Sequence, residues 1–228
     1  MDNNRYIDHA VLKSEMTQDE VKKAILDGIN YEVYTVCVRP CDIELAVSMC
    51  KGTKTCVSCV LDFPYGNGGK EGKAALAEIY AKQGVTEIDM VMNYSLAISG
   101  EWDRVKDEIS AVVEVAHKHN VIVKVIFETS MLNIEQIKKA TEVSIAANAD
   151  FVKTSTGFNG EGATIEGVRT MLETADGRIK VKASGGIRNK TQARTFIEMG
   201  VSRLGVGYSA VKAICTGEEN IDNDTGTY

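Results

Sequence analysis

Three lysines stand in the middle of runs that otherwise have the pattern of buried β-strands. They are Lys124 in "VIVKVIFE", Lys153 in "FVKTSTGF" and Lys182 in "KVKASGGI". A buried lysine is costly unless its ammonium group is paired or functional, and three on adjacent strands also repel one another. The pattern therefore indicates either a buried ion-pair network or a reactive amine.

The reactive amine would do Schiff-base chemistry. Neighbouring strands lie about 4.8 Å apart, so the ammonium groups of Lys153 and Lys182 are expected to approach closely. Two adjacent positive charges disfavour double protonation, which leaves a neutral amine to attack a carbonyl carbon. Asp89 in "EIDMV", two strands from Lys153, is placed to relay protons through water. The structural alternative is an ion-pair network of the three lysines with Asp89 and Glu128.

Strands and helices that alternate along the chain must position these side chains. Eight β-branched runs predict strands at Tyr6–Asp8, Tyr34–Val38, Thr55–Leu61, Glu87–Met92, Val121–Phe127, Phe151–Ser155, Ile179–Ser184 and Arg203–Val206. The helices predicted between them include Thr17–Gly28, Trp102–His119 and Ile134–Ala147. Thr17 and Glu20 have the spacing of a capping box at the start of the first of these helices.

Eight strand–helix units of roughly 28 residues each predict a (β/α)₈ TIM barrel, because parallel strands need helical crossovers. An open doubly wound sheet is the alternative. No linker divides the chain, so we expect one domain over residues 1–228. One face of the strands is apolar and should contact the helices. The face toward the barrel axis then carries Cys37, Asp89, Lys124, Lys153, Ser155, Lys182, Ser184 and Gly205.

Two glycine-bearing turns follow the last strands. Gly185 and Gly186 come after the seventh strand, and the run Gly205-Val206-Gly207 closes the eighth. Backbone amides at these positions of a barrel commonly hold a phosphate group. Thr156 and Gly157, after the sixth strand, are expected to close the other side of such a site.

Charge and composition exclude several classes of partner. The formal net charge of −6 is spread along the chain, whereas a nucleic-acid surface would need a basic face. The N-terminus lacks the apolar segment of a signal peptide, and no stretch approaches the roughly 18 apolar residues of a membrane span. We therefore expect a cytoplasmic protein with neither a nucleic-acid nor a membrane partner.

A metal or cofactor is not expected either. The six cysteines are expected to be free thiols. Cys56 and Cys59 have the spacing of half a zinc site, but positions i and i+3 of a strand point to opposite faces. His117 and His119 lie on a polar helix end, so the sequence predicts no bound metal.

Several motifs together resemble the deoxyribose-phosphate aldolase family. They are "YIDH", "VCV" before a proline, "FPYGN", "EIDMV", "VIFET", "ADFVKTSTGF" and "VKASGGIR", and the resemblance spans nearly the whole chain. This family consists of metal-free class I aldolases with a barrel fold. The resemblance implies reversible cleavage of 2-deoxyribose 5-phosphate to acetaldehyde and glyceraldehyde 3-phosphate.

The resemblance also implies roles for individual residues. Lys153 would form the Schiff base, Lys182 would perturb it, and Asp89 would relay protons, with Asp8 and Lys124 as supports of that relay. Cys37 matches a cysteine beside the site and is interpreted as a small core residue. A mobile tail from about 217 to 228 would bring the terminal Tyr228 to the acetaldehyde carbon.

One departure from the family concerns the phosphate site. Two adjacent serines usually follow the eighth strand, whereas this chain has Gly207 and Tyr208 there, with Ser209 one residue on. The change favours, as an alternative, a related Schiff-base aldolase with an altered or non-phosphorylated substrate. A third hypothesis is a non-catalytic sugar-phosphate-binding barrel. A homodimer is a candidate assembly, although the sequence itself leaves the oligomeric state open.

Overall fold

The protein is a closed barrel of eight parallel strands, seen in a computed structural model that describes residues 3–218. The strands follow the order of the chain around the barrel, and the last pairs with the first. They are β1 Ile7–Val11, β2 Thr35–Val38, β3 Cys56–Leu61, β4 Glu87–Val91, β5 Ile122–Ile126, β6 Phe151–Lys153, β7 Lys180–Ser184 and β8 Arg203–Gly207. This is the predicted (β/α)₈ TIM barrel, and the open doubly wound alternative is wrong.

Helices cover the outside of the barrel. They are α1 Gln18–Asn30, α2 Ile43–Cys50, α3 Lys70–Lys82, α4 Tyr94–Ile98, α5 Trp102–Lys118, α6 Ile134–Ala146, α7 Ile165–Ala175, α8 Lys190–Met199 and α9 Val211–Thr216. In residues 3–218 no helix combines the length and the apolar character that crossing a membrane would require.

All eight predicted strands are present, and their ends differ from the prediction by at most three residues. At the carboxyl ends, β1 extends to Val11, beyond the predicted Asp8, and β6 stops at Lys153, before the predicted Ser155. Beyond Lys153 the Thr154 hydroxyl donates to the Ser184 carbonyl (2.9 Å) and accepts from the Ser184 N–H (3.0 Å). The Thr154 side chain thus replaces part of the backbone hydrogen bonding between β6 and β7.

The two faces of the strands differ as the alternation predicted. The outward valines, leucine, isoleucine and methionine of the strands belong to one large buried apolar cluster against the helices. A second, smaller apolar cluster inside the barrel consists of Ala10, Leu12, Cys37 and Val60, with Phe63 packed on it. The register places Asp89 beside Lys124 and Lys153 beside Lys182. The inward face therefore carries the charged side chains.

The first helix begins where its capping pattern predicted. The Thr17 hydroxyl accepts a hydrogen bond from the Glu20 N–H, and the Glu20 carboxylate accepts one from the Thr17 N–H at 2.8 Å. Two amides at the helix N-terminus, which have no partner within the helix, are satisfied in this way.

We expect Thr17→Ala to lower the free energy of unfolding by about 1 kcal/mol, because it removes one half of the capping box. Urea unfolding followed by circular dichroism measures this change. The control is Thr195→Ala, since the Thr195 hydroxyl only donates to the Thr191 carbonyl within α8. Equal losses in the two variants would mean that the box adds nothing.

Candidate active site

A cluster of buried charged side chains fills the barrel interior. Its members come from six strands and are at most 8% exposed. They are Asp8, Glu87, Asp89, Lys124, Lys153, Lys182 and Arg203. Charges removed from water to this extent are stable only when each has partners of opposite sign.

Asp89 contacts all three lysines. Its Oδ2 accepts hydrogen bonds from Lys153 Nζ at 2.9 Å and from Lys182 Nζ at 2.8 Å, and its Oδ1 accepts one from Lys124 Nζ at 2.8 Å. Burial alone would raise the pKa of Asp89, but the ammonium groups around it outweigh burial and hold that pKa well below its usual range. Asp89 is therefore a carboxylate under all ordinary conditions.

Asp8 is the second carboxylate of the cluster. Its Oδ2 lies 2.5 Å from Lys182 Nζ and 3.2 Å from Lys124 Nζ, and its Oδ1 lies 3.3 Å from Arg203 Nε. Burial opposes ionisation, yet the positive charges of Lys124 and Lys182 prevail and lower the pKa of Asp8 to about 2. Asp8 thus links the lysines to Arg203.

Lys124 contacts three carboxylates, which are those of Asp8, Glu87 and Asp89. Burial disfavours its charged form, but these carboxylates raise the pKa of Lys124 well above its usual value. Lys124 is therefore a permanent ammonium group. Its place in the cluster is to hold Asp89 and Asp8 ionised and in position.

The cluster holds one more positive than negative group when all are ionised. Among residues 3–218 it comprises four cations and three carboxylates. In the same residues Lys153 has one carboxylate within 4 Å, whereas Lys182 has two and Lys124 three. Lys153 is therefore the least compensated of the three lysines, with the fewest carboxylates around its ammonium group.

The ion-pair network considered at the sequence level exists, but with different acids. Asp89 belongs to it as expected, whereas Glu128 contacts other residues and Asp8 and Glu87 take its place. Sequence reasoning missed Glu87 and Arg203. Each lies two residues before an inward residue on its own strand, Asp89 or Gly205, so the alternation that identified those two could have identified them as well.

Glu128 organises the loop that follows β6. Its carboxylate accepts hydrogen bonds from the Thr156 hydroxyl, from the Thr156 N–H at 3.2 Å and from Asn159 Nδ2 at 3.3 Å. Burial raises the pKa of Glu128, although the bonds from Thr156 and Asn159 oppose that shift. Both hydrogen-bond donors of Thr156, a predicted phosphate ligand, are thus directed to this carboxylate.

Two loops meet at the carboxyl end of the barrel. Asn159 Nδ2 donates to the Pro64 carbonyl at 3.0 Å, and the rings of Phe63 and Phe158 pack edge to face with their centres 5.0 Å apart. The loop after β3 is therefore fixed to the loop after β6. Both cover the end of the barrel at which Lys153 lies.

The predicted glycine turn after β7 packs against the loop after β6. The Gly185 carbonyl accepts a hydrogen bond from the Ala163 N–H at 3.1 Å. A Cβ atom on Gly185 would lie 2.8 Å from Gly162 Cα and 3.5 Å from Gly157 Cα. Gly185 and Gly186 have φ of +87° and +75°, which favours glycine at both positions. The structure thus brings Gly157 and Gly185 together.

The residues at β8 lie differently. Gly205 is inside the strand, where a Cβ atom would lie 2.4 Å from Ser184 Cβ and 3.3 Å from Lys182 Cε. Gly207 ends β8, and Tyr208 and Ser209 form a short 3₁₀ turn with the residue that follows. Tyr208 packs against the outer apolar core. Gly205 therefore makes room for Lys182, a role that the sequence did not indicate.

Other predicted features have simpler outcomes. Cys37 is buried in the small inner apolar cluster, and burial raises the pKa of its thiol. Within the described part of the chain no three His, Cys, Asp or Glu side chains are grouped as metal ligands would be. Gly217 caps the end of α9 and Glu218 follows it, while residues 219–228 of the predicted tail, including Tyr228, lie outside the described residues.

Comparison with known proteins shows the family of this chain. The model of the DeoC/LacD family aldolases matches residues 5–217. A deoxyribose-phosphate aldolase of Caldanaerobacter subterraneus subsp. tengcongensis is 45% identical over 88% of this chain and 87% of its own length. One from Exiguobacterium sp. is 44% identical over 93% of this chain and 95% of its own. The solved tetrameric deoxyribose phosphate aldolase from Aeropyrum pernix superposes with a TM-score of 0.86 at 28% identity, over 93% of this chain and 89% of that one.

We expect Gly205→Ala to lower the free energy of unfolding by about 1–3 kcal/mol, because the added methyl group overlaps Ser184 and presses on Lys182. Urea unfolding measures the loss.

Gly72→Ala is the matched control for this change. Gly72 lies in α3 with open space around its Cβ position, so alanine there should be neutral or stabilising by up to about 1 kcal/mol. If Gly205→Ala were as stable as the unmodified protein, the close packing of Gly205 on Lys182 would be refuted.

Proposed function

Since the chain belongs to the DeoC/LacD family of aldolases, we propose that it cleaves 2-deoxyribose 5-phosphate reversibly to acetaldehyde and glyceraldehyde 3-phosphate. The observation that carries the proposal is the pair of buried lysines, Lys153 and Lys182, that share one oxygen of Asp89. Carbon–carbon cleavage beside a carbonyl group needs an electron sink, and an iminium ion formed by a lysine supplies one.

The reaction begins with Lys153 as a neutral amine. Its nitrogen attacks the aldehyde carbon of the open-chain sugar to give a carbinolamine, which loses water to become an iminium ion. Removal of the proton from the 3-hydroxyl group then breaks the C2–C3 bond. The bonding electrons pass into the iminium group as an enamine, and glyceraldehyde 3-phosphate is released.

The second half of the reaction returns the enzyme to its starting state. A proton added to the enamine carbon gives the iminium ion of acetaldehyde, and water hydrolyses this ion to release acetaldehyde and the free amine. The predicted donor for this carbon is Tyr228 in the C-terminal tail.

Asp89, Lys182 and water are the proposed proton relay. Because the pKa of Asp89 is held well below its usual range, its carboxylate serves to orient Lys182 and water rather than to store a proton. Asp8 and Lys124 hold this pair in place through the contacts of 2.5 and 2.8 Å that they make to Lys182 and Asp89. Lys182 supplies the positive charge that keeps Lys153 neutral.

The phosphate group is proposed to bind at the turns after β6, β7 and β8. Gly157, Gly185 and Gly186 form one side of this site, while Gly207 and Ser209 lie on the other; Thr156 supports the loop through Glu128. A related Schiff-base aldolase with an altered or non-phosphorylated substrate is the second candidate function. It is favoured by Tyr208, whose ring packs against the core at the position of a family serine.

We propose that the enzyme acts in the cytoplasm as one domain over residues 1–228. A homodimer is the proposed assembly, whereas the relative from Aeropyrum pernix is described as a tetramer. Its partners are small sugar phosphates and aldehydes, with no cofactor.

The nucleophile can be identified by trapping. When the protein is incubated with deoxyribose 5-phosphate or acetaldehyde and borohydride, we expect the stable adduct on Lys153. Lys153→Arg should abolish turnover, because a guanidinium group stays protonated and cannot attack a carbonyl. Peptide mass spectrometry and an aldehyde-release assay measure the two results.

Lys180→Arg is the matched control, since Lys180 is an exposed lysine at the start of β7 and should tolerate the change without loss of turnover. An adduct on Lys182 in the unmodified protein would contradict the assignment. Absence of any adduct would contradict the Schiff-base function itself.

The second experiment concerns the phosphate group. Each lost hydroxyl donor to a phosphate dianion weakens binding by roughly 1.5–3 kcal/mol if nothing replaces it. Gly207→Ser with Tyr208→Ser should therefore raise kcat/KM for deoxyribose 5-phosphate about ten-fold or more. Steady-state kinetics on both sugars decide the outcome.

Unphosphorylated deoxyribose is the control substrate and should gain little, because it has no dianion to be held. Gly207→Ser alone keeps Tyr208 in the core and should give a part of the gain if the double variant is unstable. A gain for the phosphorylated sugar no larger than for deoxyribose would mean that Ser209 and the glycine amides already suffice.

A further inference from the structure

Arg203 and Glu87 form the floor of the buried cluster. They begin β8 and β4, so they lie at the amino ends of the strands, away from the end where Lys153 is reached by substrate. Arg203 Nη2 lies 3.3 Å from Glu87 Oε1, and the guanidinium carbon of Arg203 lies 3.3 Å from the centre of the Tyr34 ring. Arg203 is only 8% exposed, and Glu87 is 1% exposed.

These two residues are connected to Lys153 through other charges. Arg203 Nε lies 3.3 Å from Asp8 Oδ1, and the other oxygen of Asp8 contacts Lys182, which shares Asp89 with Lys153. Glu87 contacts Lys124, which in turn contacts Asp89. Neither floor residue therefore needs to touch the substrate to influence the amine of Lys153.

The net charge of the cluster depends on the titratable side chains that all eight strands direct toward it. Titratable groups of residues 3–218 that face it are Asp8 from β1, Cys37 from β2, Glu87 and Asp89 from β4, Lys124 from β5, Lys153 from β6, Lys182 from β7 and Arg203 from β8, with Glu128 just beyond β5. β3 contributes the neutral Ser58, which bonds to Thr35. Glu128 is turned to Thr156 and Asn159, and Cys37 is a buried thiol.

The excess of one positive charge depends on Arg203. A guanidinium group keeps its charge at every accessible pH, so it cannot relieve the excess by losing a proton. Without Arg203, three lysines would face three carboxylates, and all three lysines would be paired as ammonium ions. Without Glu87, two carboxylates would remain for four cations, and loss of a lysine proton would be favoured further.

We propose that Arg203 and Glu87 are positioning residues with opposite effects, which together set the pH at which Lys153 becomes a neutral amine. Arg203 lowers that pH by adding a fixed positive charge, and Glu87 raises it. The inference rests on the proposed Schiff-base function of Lys153. It adds the floor of the barrel to Lys182 as a part that adjusts the enzyme to its working pH.

The test is the pH dependence of Schiff-base formation with acetaldehyde, trapped by cyanoborohydride. Acetaldehyde carries no phosphate, so the profile contains no titration of the substrate. In a plot of trapping rate against pH, the rate rises as Lys153 loses its proton, and we call this rise the rising limb. We expect Arg203→Gln to move the rising limb about one pH unit or more upward, and Glu87→Gln to move it downward by a similar amount. The double variant Arg203→Gln with Glu87→Gln keeps the excess of one positive charge and should return the limb toward its original position.

Arg203→Lys tests whether charge is the cause, because it keeps a positive group at the floor and should therefore shift the profile less than Arg203→Gln does. A purely structural role would lower the rate in both single variants without moving the limb, and the double variant would be worse than either. That result would overturn the inference while leaving the trapped lysine intact.

Folding of each variant is checked by urea unfolding. Arg203→Gln removes the guanidinium partner of Asp8 and Glu87 and is the variant most at risk, whereas the double variant removes both members of a pair. If Arg203→Gln does not fold, the inference is tested by the other two variants: Glu87→Gln should shift the pH profile downward, and the double variant should reverse that shift. No trapping in the unmodified protein would instead refute the proposed function.

Discussion

Asp89 Oδ2 accepts hydrogen bonds from both Lys153 and Lys182, and the rest of the barrel interior is arranged around this shared oxygen. Two ammonium groups on neighbouring strands repel each other in a medium of low polarity, so they approach only where a carboxylate lies between them. One carboxylate cannot compensate three lysines. Asp8 and Glu87 supply the further negative charges, and Arg203, which contacts both acids, adds a fourth positive charge.

Under the proposed function, the same cluster distinguishes Lys153 from the other two lysines. Lys124 is surrounded by carboxylates and holds its proton, and Lys182 has two carboxylate contacts where Lys153 has one. An excess of one positive charge is relieved most easily at the least compensated amine. Under the proposed function, this excess of positive charge prepares Lys153 as the nucleophile.

The carboxyl end of the barrel depends on a different set of contacts. Glu128 has a positive φ of +57°, which is strained for a residue other than glycine, and its carboxylate holds the loop after β6 through Thr156 and Asn159. Asn159 extends the connection to Pro64, so the loops after β3, β5 and β6 are fixed to one another. The strain at Glu128 is offset by these bonds, and the wall around Lys153 is formed in advance of binding.

The sequence alone determined the eight strands, the barrel and the identity of the three lysines and Asp89, because alternation of apolar and polar residues is a local pattern that each strand carries separately. It also located the capping box at Thr17. Which acid compensates which lysine was decided only by the tertiary structure, since those partners come from strands far apart in the chain and the closure of the barrel sets their distances. Glu128 was assigned to the wrong network for this reason, and Gly205 was interpreted as a phosphate ligand although its Cβ position lies against Ser184 and Lys182. The net charge of the barrel interior is the sum of the charged side chains from all strands, so the sequence of one strand cannot show it.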